Sequence, residues 1–259
     1  MPKQTWTTAV GEVAHGTVRV RGYALDDVIK NVGFGAACYL TIRGELPDEH
    51  QARVTDAALC AILEHGFYAP TTLAARTVVS AAPDDLIKGL AAGLLTIGSV
   101  TASPQHSAEI IVRVEEAVRT GSSEAAAMKS VALRMIEDGE RMPGIGHPLH
   151  PDGDPRAIAL EEVARAEGVL GRRTEYFHGV RDEYLVHIGR SFPVNVDGML
   201  GCVLYELGFA PMEMPGLAAI SFLPGLIAHC MEEASGPVSL RVADGEYTGP
   251  AARSFTDAS

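Results

Sequence analysis

Residues 197–207 read DGMLGCVLYEL and residues 215–233 read PGLAAISFLPGLIAHCMEE, and these two stretches decide the fold class. Each is apolar on nearly every side and lacks the strict alternation of a half-buried strand. Helices of this kind are buried all round, in a large core or a subunit interface. Elsewhere only 17–21 and 238–242 alternate as strands do. The sequence therefore predicts an all-α protein with a thick core.

Most of the remaining chain shows helical periodicity with charged outer faces. A first helical region, 26–39, is interrupted at Gly33 and Gly35. Asp48 is placed to cap the next helix, which is expected to run to about His65. The further predicted helices are 71–80, 83–97, 106–120, 122–139, 155–168 and 173–190.

The composition restricts the class of function. The 259 residues include 33 acidic and 21 basic side chains, so the net charge is −12. This balance argues against a nucleic-acid partner, because phosphate contacts need clustered Lys and Arg. The most apolar window, 214–231, contains Pro215, Pro224 and His229 and has no flanking cations, which argues against membrane insertion. With 47% hydrophobic but only 6% aromatic residues, the core is expected to be aliphatic.

Cysteine usage and the N-terminal sequence bear on the compartment. No charged-then-apolar leader is visible, so no secretory signal is expected. The cysteines are far apart and show no Cys-x-x-Cys spacing, which predicts reduced, buried thiols in a cytoplasmic protein. They are Cys38, Cys60, Cys202 and Cys230.

The densest irregular segment, 142–156, reads MPGIGHPLHPDGDPR and separates two predicted helices. A loop with this much Gly and Pro either presents a backbone-lined binding surface or is a plain surface turn. Its side chains His147, His150, Asp152 and Asp154 also suggest a divalent metal site, although the prolines would splay the ligands. The residues alone leave these interpretations open.

Two further positions are candidates for chemistry. Asp197, in the segment PVNVDG at 193–198, is either the N-cap of a buried helix or a general base whose pKa is raised by burial. His65 is followed by Gly66 at a predicted helix end. It is either a partner of the helix dipole or a catalytic imidazole.

The order of these motifs resembles the citrate synthase family, and most closely the citryl-CoA lyase part of ATP citrate lyase. The most specific matches are Pro143-Gly-Ile-Gly-His147, Asp154-Pro-Arg156 and Asn195-Val-Asp197. The resemblance extends over roughly residues 17–250. Its other matches are Arg21-Gly-Tyr23, Phe34, Arg43-Gly-Glu-Leu-Pro47, His65-Gly66, Gly93-Leu-Leu-Thr-Ile-Gly98 and Tyr247-Thr-Gly249.

The resemblance implies a reaction of an acyl-CoA with a 2-oxo acid that forms or breaks a carbon–carbon bond, without a metal. It assigns Asp197 as the base that removes the α-proton of the thioester. His147 would protonate the carbonyl oxygen, and His65 would donate a hydrogen bond to it. Arg156 would pair with a substrate carboxylate through its planar fork. Coenzyme A would lie against the backbone of Pro143, Gly144, Ile145 and Gly146.

The sequence also departs from the family pattern. The synthases carry an enol-stabilising His where this chain has Thr101, and His106 could replace it only if the loop shifts. Phe222 stands where the family has a carboxylate-binding Arg. We therefore hypothesise that the natural partner is a 2-oxo acid with a less polar tail than oxaloacetate, or that oxaloacetate binds differently. A third family Arg, contributed across the dimer, survives as Arg241 with its spacing off by one.

The implied architecture has two all-α domains with the site in the cleft between them. The large domain would comprise 1–101 and 199–259, and the small, lid-like domain 102–198. The apolar helices at 83–98 and 215–233 would form a homodimer interface. The departures keep an alternative open, in which a protein of this fold binds CoA esters with little or no catalysis.

Overall fold

The computed structural model of the chain describes residues 6–98, 100–237 and 240–255. Within these ranges the protein is built from helices and one small sheet, so the predicted all-α class is confirmed. The helices are α1 (Leu25–Asn31), α2 (Phe34–Arg43), α3 (Glu49–Cys60), α4 (Pro70–Ala81), α5 (Leu86–Leu94), α6 (Pro104–Arg119), α7 (Glu124–Glu137), α8 (Pro155–Ala166), α9 (Arg172–Ile188), α10 (Val196–Glu206) and α11 (Met214–Ser235).

The sheet is an exposed antiparallel meander near the N-terminus. Its strands are β1 (Gly11–Ala14), β2 (Thr17–Val20) and β3 (Tyr23–Ala24), and Val13 pairs with Val18 in the first ladder. The strand predicted at 17–21 is confirmed as β2. The strand predicted at 238–242 is not: 238 and 239 lie outside the described residues, and 240–242 have no strand conformation.

The predicted helix starts are largely confirmed, and the ends less so. Asp48 caps α3 in a reciprocal box with Gln51, whose backbone N–H donates to Asp48 over 2.8 Å. The helix ends at Cys60 rather than near His65, and a short 3-10 turn, Gly66–Tyr68, follows. Asp85 rather than Pro83 marks the start of α5, because its carboxylate accepts from the Lys88 backbone N–H.

The helices pack in two groups. In the first, α11 lies on α4 and α5, and α3 lies on α2; in the second, α10 lies on α6, α8 and α9, and α7 packs on α9. The groups meet where α3 contacts α8 and α10, and where α11 contacts α6. The division into domains at 101/102 and 198/199 stays a prediction, and its second boundary falls inside α10.

The two apolar stretches that predict the fold differ in burial. In α10, Val196 and all of 198–204 are buried, as expected for a helix enclosed on every side. In α11 one side is buried, whereas Ile227 and Met231 are 42% and 51% exposed. By length and composition alone Pro211–Ala234 could also cross a membrane, a test that core helices of soluble proteins pass too.

The four cysteines are free. Cys202 and Cys230 are buried, but Cys38 is partly exposed and Cys60 is exposed, so the expectation of four buried thiols is wrong for these two. Cys60 is exposed because α3 ends there.

Candidate active site

The segment 142–156, here called the His147 loop, is tied to the strand-like segment that precedes α10. The Gly146 backbone N–H donates to the Pro193 carbonyl (2.7 Å), and the Asn195 N–H donates to the Gly144 carbonyl (3.0 Å). The Asn195 side-chain amide also donates to the Gly146 carbonyl (2.8 Å). These bonds fix the loop against the N-terminal end of α10.

Close approach of the His147 loop to α10 requires glycine on both sides. Gly144 has φ +76°, and a Cβ there would lie 2.5 Å from Gly198 Cα and would also overlap Ser107 Oγ. A Cβ on Gly198 would in turn overlap the Gly144 carbonyl oxygen. The missing side chain of Gly144 is therefore explained by packing against protein. The expected contact of 143–146 with coenzyme A stays a prediction.

The structure brings His65, His147 and Arg156 together. The Nε2 atoms of the two imidazoles are 3.3 Å apart, and Arg156 Nη1 lies 3.2 Å from His65 Nδ1. On the other ring, the Leu149 backbone N–H donates to His147 Nδ1 over 3.1 Å. His65 and His147, 82 residues apart in the chain, thus share one site.

The partners of the two rings determine where their protons lie. A backbone N–H and a guanidinium can only donate, so Nδ1 of both rings acts as the acceptor. A neutral imidazole that accepts at Nδ1 carries its proton on Nε2. Burial lowers the pKa of both His65 and His147, and the nearby Arg156 charge lowers it further, so both rings favour the neutral form. Two Nε2–H donors therefore face the same space.

Arg156 is oriented by Asp154, a residue that the sequence interpretation did not place in this role. Arg156 Nε and Nη2 donate to the two oxygens of the Asp154 carboxylate over 3.0 and 2.9 Å. Asp154 is 1% exposed, caps α8, and also accepts from the Val196 backbone N–H (3.0 Å). Burial opposes its ionisation, but the Arg156 guanidinium and these N–H groups hold its pKa below the ordinary value. The Asp-Pro pair at a predicted helix start was the available signal.

Asp197 lies in the first turn of α10 but is not its cap. The N-cap is Asn195, whose side chain accepts from the Gly198 N–H (3.0 Å), so the N-cap interpretation of Asp197 is wrong. Asp197 is partly buried, and its Oδ2 lies 3.4 Å from the Ser103 backbone N. Burial raises the pKa of Asp197, against the opposing effects of the Ser103 N–H and the Arg156 charge. A carboxylate in this setting suits a general base.

Thr101 and His106 show no contact that replaces the missing family His. The Thr101 carbonyl accepts from the Gly98 N–H, and the imidazole of His106 pairs with Glu109 in the first turn of α6 over 3.0 Å. The described hydrogen bond to Asp197 in this region comes from the backbone N–H of Ser103, and His106 acts on Asp197 only through its charge, which lowers the Asp197 pKa. Whether either side chain acts on substrate stays a prediction.

None of the described contacts joins Phe222 or Arg241 to His65 or His147. Phe222 is 7% exposed within the hydrophobic core, so it offers little surface to a ligand in this conformation. Arg241 Nε and Nη2 donate to the two oxygens of Glu233 in its own chain, over 2.7 and 2.9 Å. A role of Arg241 across a dimer stays a prediction.

A cavity of about 750 Å³ opens beside His147. Its lining includes Gly146, Phe192 and two cationic side chains, Arg141 and Arg190, that the sequence interpretation did not single out. The volume lies in the range of small-molecule sites. The alternative of a metal site in the His147 loop gains no support, because no three His, Cys, Asp or Glu side chains converge within the described ranges.

Known proteins resemble this chain in sequence and in fold. The family model described as citrate synthase, C-terminal domain, matches residues 47–241. The structure of citryl-CoA lyase from Hydrogenobacter thermophilus is 31% identical, with 98% of each chain covered and a TM-score of 0.87. ATP citrate lyase from Methanothrix soehngenii, in complex with citrate and coenzyme A, is 23% identical over 100% of this chain and 44% of that one, with a TM-score of 0.80.

Among curated proteins, citrate synthase 2 of Bacillus subtilis is 28% identical over 216 residues, which cover 83% of this chain and 56% of that protein. The chain thus spans about half the length of the curated relatives it matches. The family match nevertheless covers most of this chain and includes His65, the His147 loop and Asp197. The chain belongs to the citrate synthase family.

Proposed function

We propose that the protein is an enzyme that forms or cleaves the carbon–carbon bond between an acyl-CoA and a 2-oxo acid, as a citryl-CoA lyase or citrate synthase does. The observation that carries this proposal is the pair of Nε2 atoms of His65 and His147, which lie 3.3 Å apart. The donors at Nδ1 of each ring favour a proton on both Nε2 atoms. Two facing donors leave each other unsatisfied. An oxygen lying to one side of the line between them can accept from both.

The chemistry of bond formation needs such a pair. Asp197 removes the α-proton of the thioester, and the resulting enolate carbon attacks the carbonyl carbon of the 2-oxo acid. Negative charge then develops on the carbonyl oxygen, where the two Nε2–H groups stabilise it. His147 gives this oxygen the proton of its Nε2 and regains one from solvent, and a tertiary hydroxyl results. In the lyase direction each proton and electron pair moves the opposite way, and Asp197 returns a proton to the enolate carbon.

The charges around the site support anionic substrates. Arg156 donates from Nε and Nη2 to Asp154 and from Nη1 to His65 Nδ1. The second N–H of Nη1 would donate to a substrate carboxylate beside His65. Arg141 and Arg190 in the cavity beside His147 offer partners for the phosphates of coenzyme A. The 2-oxo acid is proposed to have a less polar tail than oxaloacetate, because Phe222 supplies no charge.

The active form is proposed to be a cytoplasmic homodimer that buries α5 and α11 between protomers, with 102–198 closing on the rest of the chain. The apolar side chains left uncovered on or beside these helices support the dimer, since monomers rarely expose such patches. Ile87 is 68% exposed, Leu95 85% and Met231 51%. Light scattering should give twice the mass of 27.4 kDa, and a monomer at working concentration would contradict the dimer.

The central experiment is turnover of citryl-CoA, and the reverse condensation of acetyl-CoA with a panel of 2-oxo acids, by wild type and Asp197→Asn. We expect wild-type turnover and a loss of about 10³-fold in kcat for the variant, with coenzyme A binding unchanged, because only the base is lost. Wild type that binds CoA esters without turning over any pair would instead support the alternative of a binding protein.

A further inference from the structure

The turn that carries His65 is held by the side chain that precedes it. One oxygen of the Glu64 carboxylate accepts from the Gly66 backbone N–H over 2.6 Å. Its other oxygen pairs with Nε2 of His229, from α11, 165 residues away. Burial opposes ionisation of Glu64, but the hydrogen bonds from His229 and Gly66 keep its pKa below the ordinary value. The Glu64 carboxylate therefore holds the chain on both sides of His65, since it belongs to the preceding residue and binds the backbone of the following one.

Arg76 sets the direction of the hydrogen bond from His229. Arg76 Nη1 lies 3.3 Å from His229 Nδ1, and a guanidinium can only donate. The same Nη1 also donates to Glu232, whose carboxylate lies 3.9 Å from His229 Nδ1. His229 thus accepts at Nδ1 and donates from Nε2 to Glu64. The Arg76 guanidinium also lies 4.9 Å from the centre of the Phe67 ring, in the same turn as His65.

A buried carboxylate anchors Arg76 at its other edge. Arg76 Nε donates to Glu233 over 2.6 Å, and Glu233 is 3% exposed. The same carboxylate takes the fork of Arg241, whose backbone N–H donates to Ser80 Oγ over 2.9 Å. A continuous series of polar and charged side chains therefore runs from Arg241 to the His65 turn. Its members are Arg241, Glu233, Arg76, His229 and Glu64.

Stability alone is a weak reason for this series. Desolvating charged groups costs several kcal/mol per ion, and well-packed apolar residues often stabilise a core as well as a buried ion pair does. Charged groups with fixed donors and acceptors do define one geometry more narrowly than apolar contacts. The series ends on the turn that places His65 Nε2 opposite His147 Nε2.

We propose that Arg76, His229 and Glu64 are positioning residues that set the place of the His65 ring, and that Arg241 supports them through Glu233 in its own chain. The importance of His65 for turnover rests on the proposed function. The placement of the ring does not depend on it. The two can therefore be tested separately.

The test compares His229→Leu with His229→Gln. Glutamine places an amide N–H near the former Nε2 and keeps the bond to Glu64, whereas leucine removes it. With ¹⁵N-labelled histidine, and His65 assigned through His65→Gln, we expect the His65 ring resonances and titration to change in His229→Leu and to return toward wild type in His229→Gln. The titration midpoint of His65 should rise by about half a pH unit or more, as the ring leaves its buried place beside Arg156.

Kinetics supply the second readout. His229→Leu should lower kcat about tenfold or more, because a misplaced group loses alignment, while KM for the CoA ester stays within about twofold. His50→Ala is the matched control, because His50 forms a comparable pair with Glu167 (2.7 Å) on the exposed surface. It should leave the His65 resonances and kcat unchanged.

Glu64→Gln guards against a folding defect in the α11 variants. It removes the negative charge that accepts the hydrogen bond from His229 but keeps an acceptor for the Gly66 N–H. Its effect on the His65 titration should therefore fall between those of His229→Leu and wild type. Unchanged His65 titration in both Glu64→Gln and folded His229→Leu overturns the proposal. The ring titration decides this even if wild type turns over no substrate, in which case only the proposed function fails.

Discussion

Two loops bring backbone and side chains to the candidate site, and they are held very differently. The His147 loop has three hydrogen bonds to 193–195, and Asp154 ties its end to α8 and α10. The segment 97–103, here called the Ser103 loop, lies at the start of α6, and its residue 99 is outside the described residues. Among its described backbone groups, the Gly98 N–H donates to Thr101, the Ile97 N–H donates to Leu94 at the end of α5, and the Ser103 carbonyl accepts from His106 in α6. Its described bond to the candidate site, from the Ser103 N–H to Asp197, is 3.4 Å long.

The difference indicates where the site is preorganised. Of the groups assigned to the carbonyl oxygen and the substrate carboxylate, His147 and Arg156 belong to the tightly held His147 loop, whereas His65 lies in the turn before α4. Such positioning costs nothing at the moment of reaction. The Ser103 loop contains Ala102 at φ +52°, an uncommon conformation for a residue with a side chain. It is also where the sequence departs from the synthases. We infer that the carbonyl half of the reaction is fixed by the fold and that the enol half differs in this chain.

The largest expected effect on stability comes from Asp154→Ala, which removes the carboxylate that ties the end of the His147 loop to α8 and α10. This change leaves the Arg156 guanidinium without its fork partner and the buried Val196 N–H without an acceptor. Removing one member of a buried pair costs about 3–5 kcal/mol. Urea unfolding should show a loss in this range, and kcat should fall with it because Arg156 is no longer oriented.

The control for Asp154→Ala is Glu116→Ala, which removes an exposed ion pair with Arg119 and should leave the free energy of unfolding essentially unchanged. The dependence on pH has a definite sign. Because the pKa of folded Asp154 is lowered, the unfolded chain takes up this proton first, near pH 3.8. The difference in free energy of unfolding between wild type and Asp154→Ala is thus complete well above pH 3.8, and it shrinks as the pH falls toward the pKa of folded Asp154. An advantage that grew on acidification would contradict the pairing.

A smaller effect is expected from Gly144→Ala, which separates packing from backbone strain. The new Cβ would overlap Gly198 and Ser107, and the alanine would also have to adopt φ +76°. Gly168→Ala is the matched control, since its φ is +69° and no atom lies within 4 Å of a Cβ there. We expect about 1–2 kcal/mol of destabilisation for Gly168→Ala from strain alone. Gly144→Ala should add about 1–3 kcal/mol from overpacking, and equal losses would contradict the close approach to α10.

Local signals in the sequence predicted most of the helices, because many helices carry a capping residue or an apolar pattern of their own. Asp48 with Gln51 and the apolar stretch of α10 are examples. The same local reasoning offered Asp197 as either a cap or a base, whereas the cap is Asn195, whose side chain reaches Gly198. The resemblance to a known family supplied His65, His147 and Arg156, which the structure brings together.

What the sequence could not predict depends on partners far apart in the chain. The bond between Glu64 and His229 spans 165 residues, and neither residue stands in a recognisable motif. The orientation of Arg156 by Asp154 involves neighbours in the sequence, but its link to α10 is visible only once the loop has folded onto Val196. The exposed strands β1 and β3 lack an apolar face, so periodicity gave no sign of them.

The smallest expected effect concerns the Ser103 loop and decides whether a side chain there replaces the missing family His. His106 points its ring to Glu109, and Thr101 contributes only its carbonyl to a described bond. We therefore expect His106→Ala and Thr101→Ala each to lower kcat by less than about threefold, far below the 10²-fold or greater loss expected for a donor to the reacting oxygen. Steady-state rates with citryl-CoA and with acetyl-CoA test this, with Glu109→Gln as the control for the surface pair. A 10²-fold loss in His106→Ala alone would mean that the loop rearranges around substrate, and the contrast between the two loops would then hold only for the free enzyme.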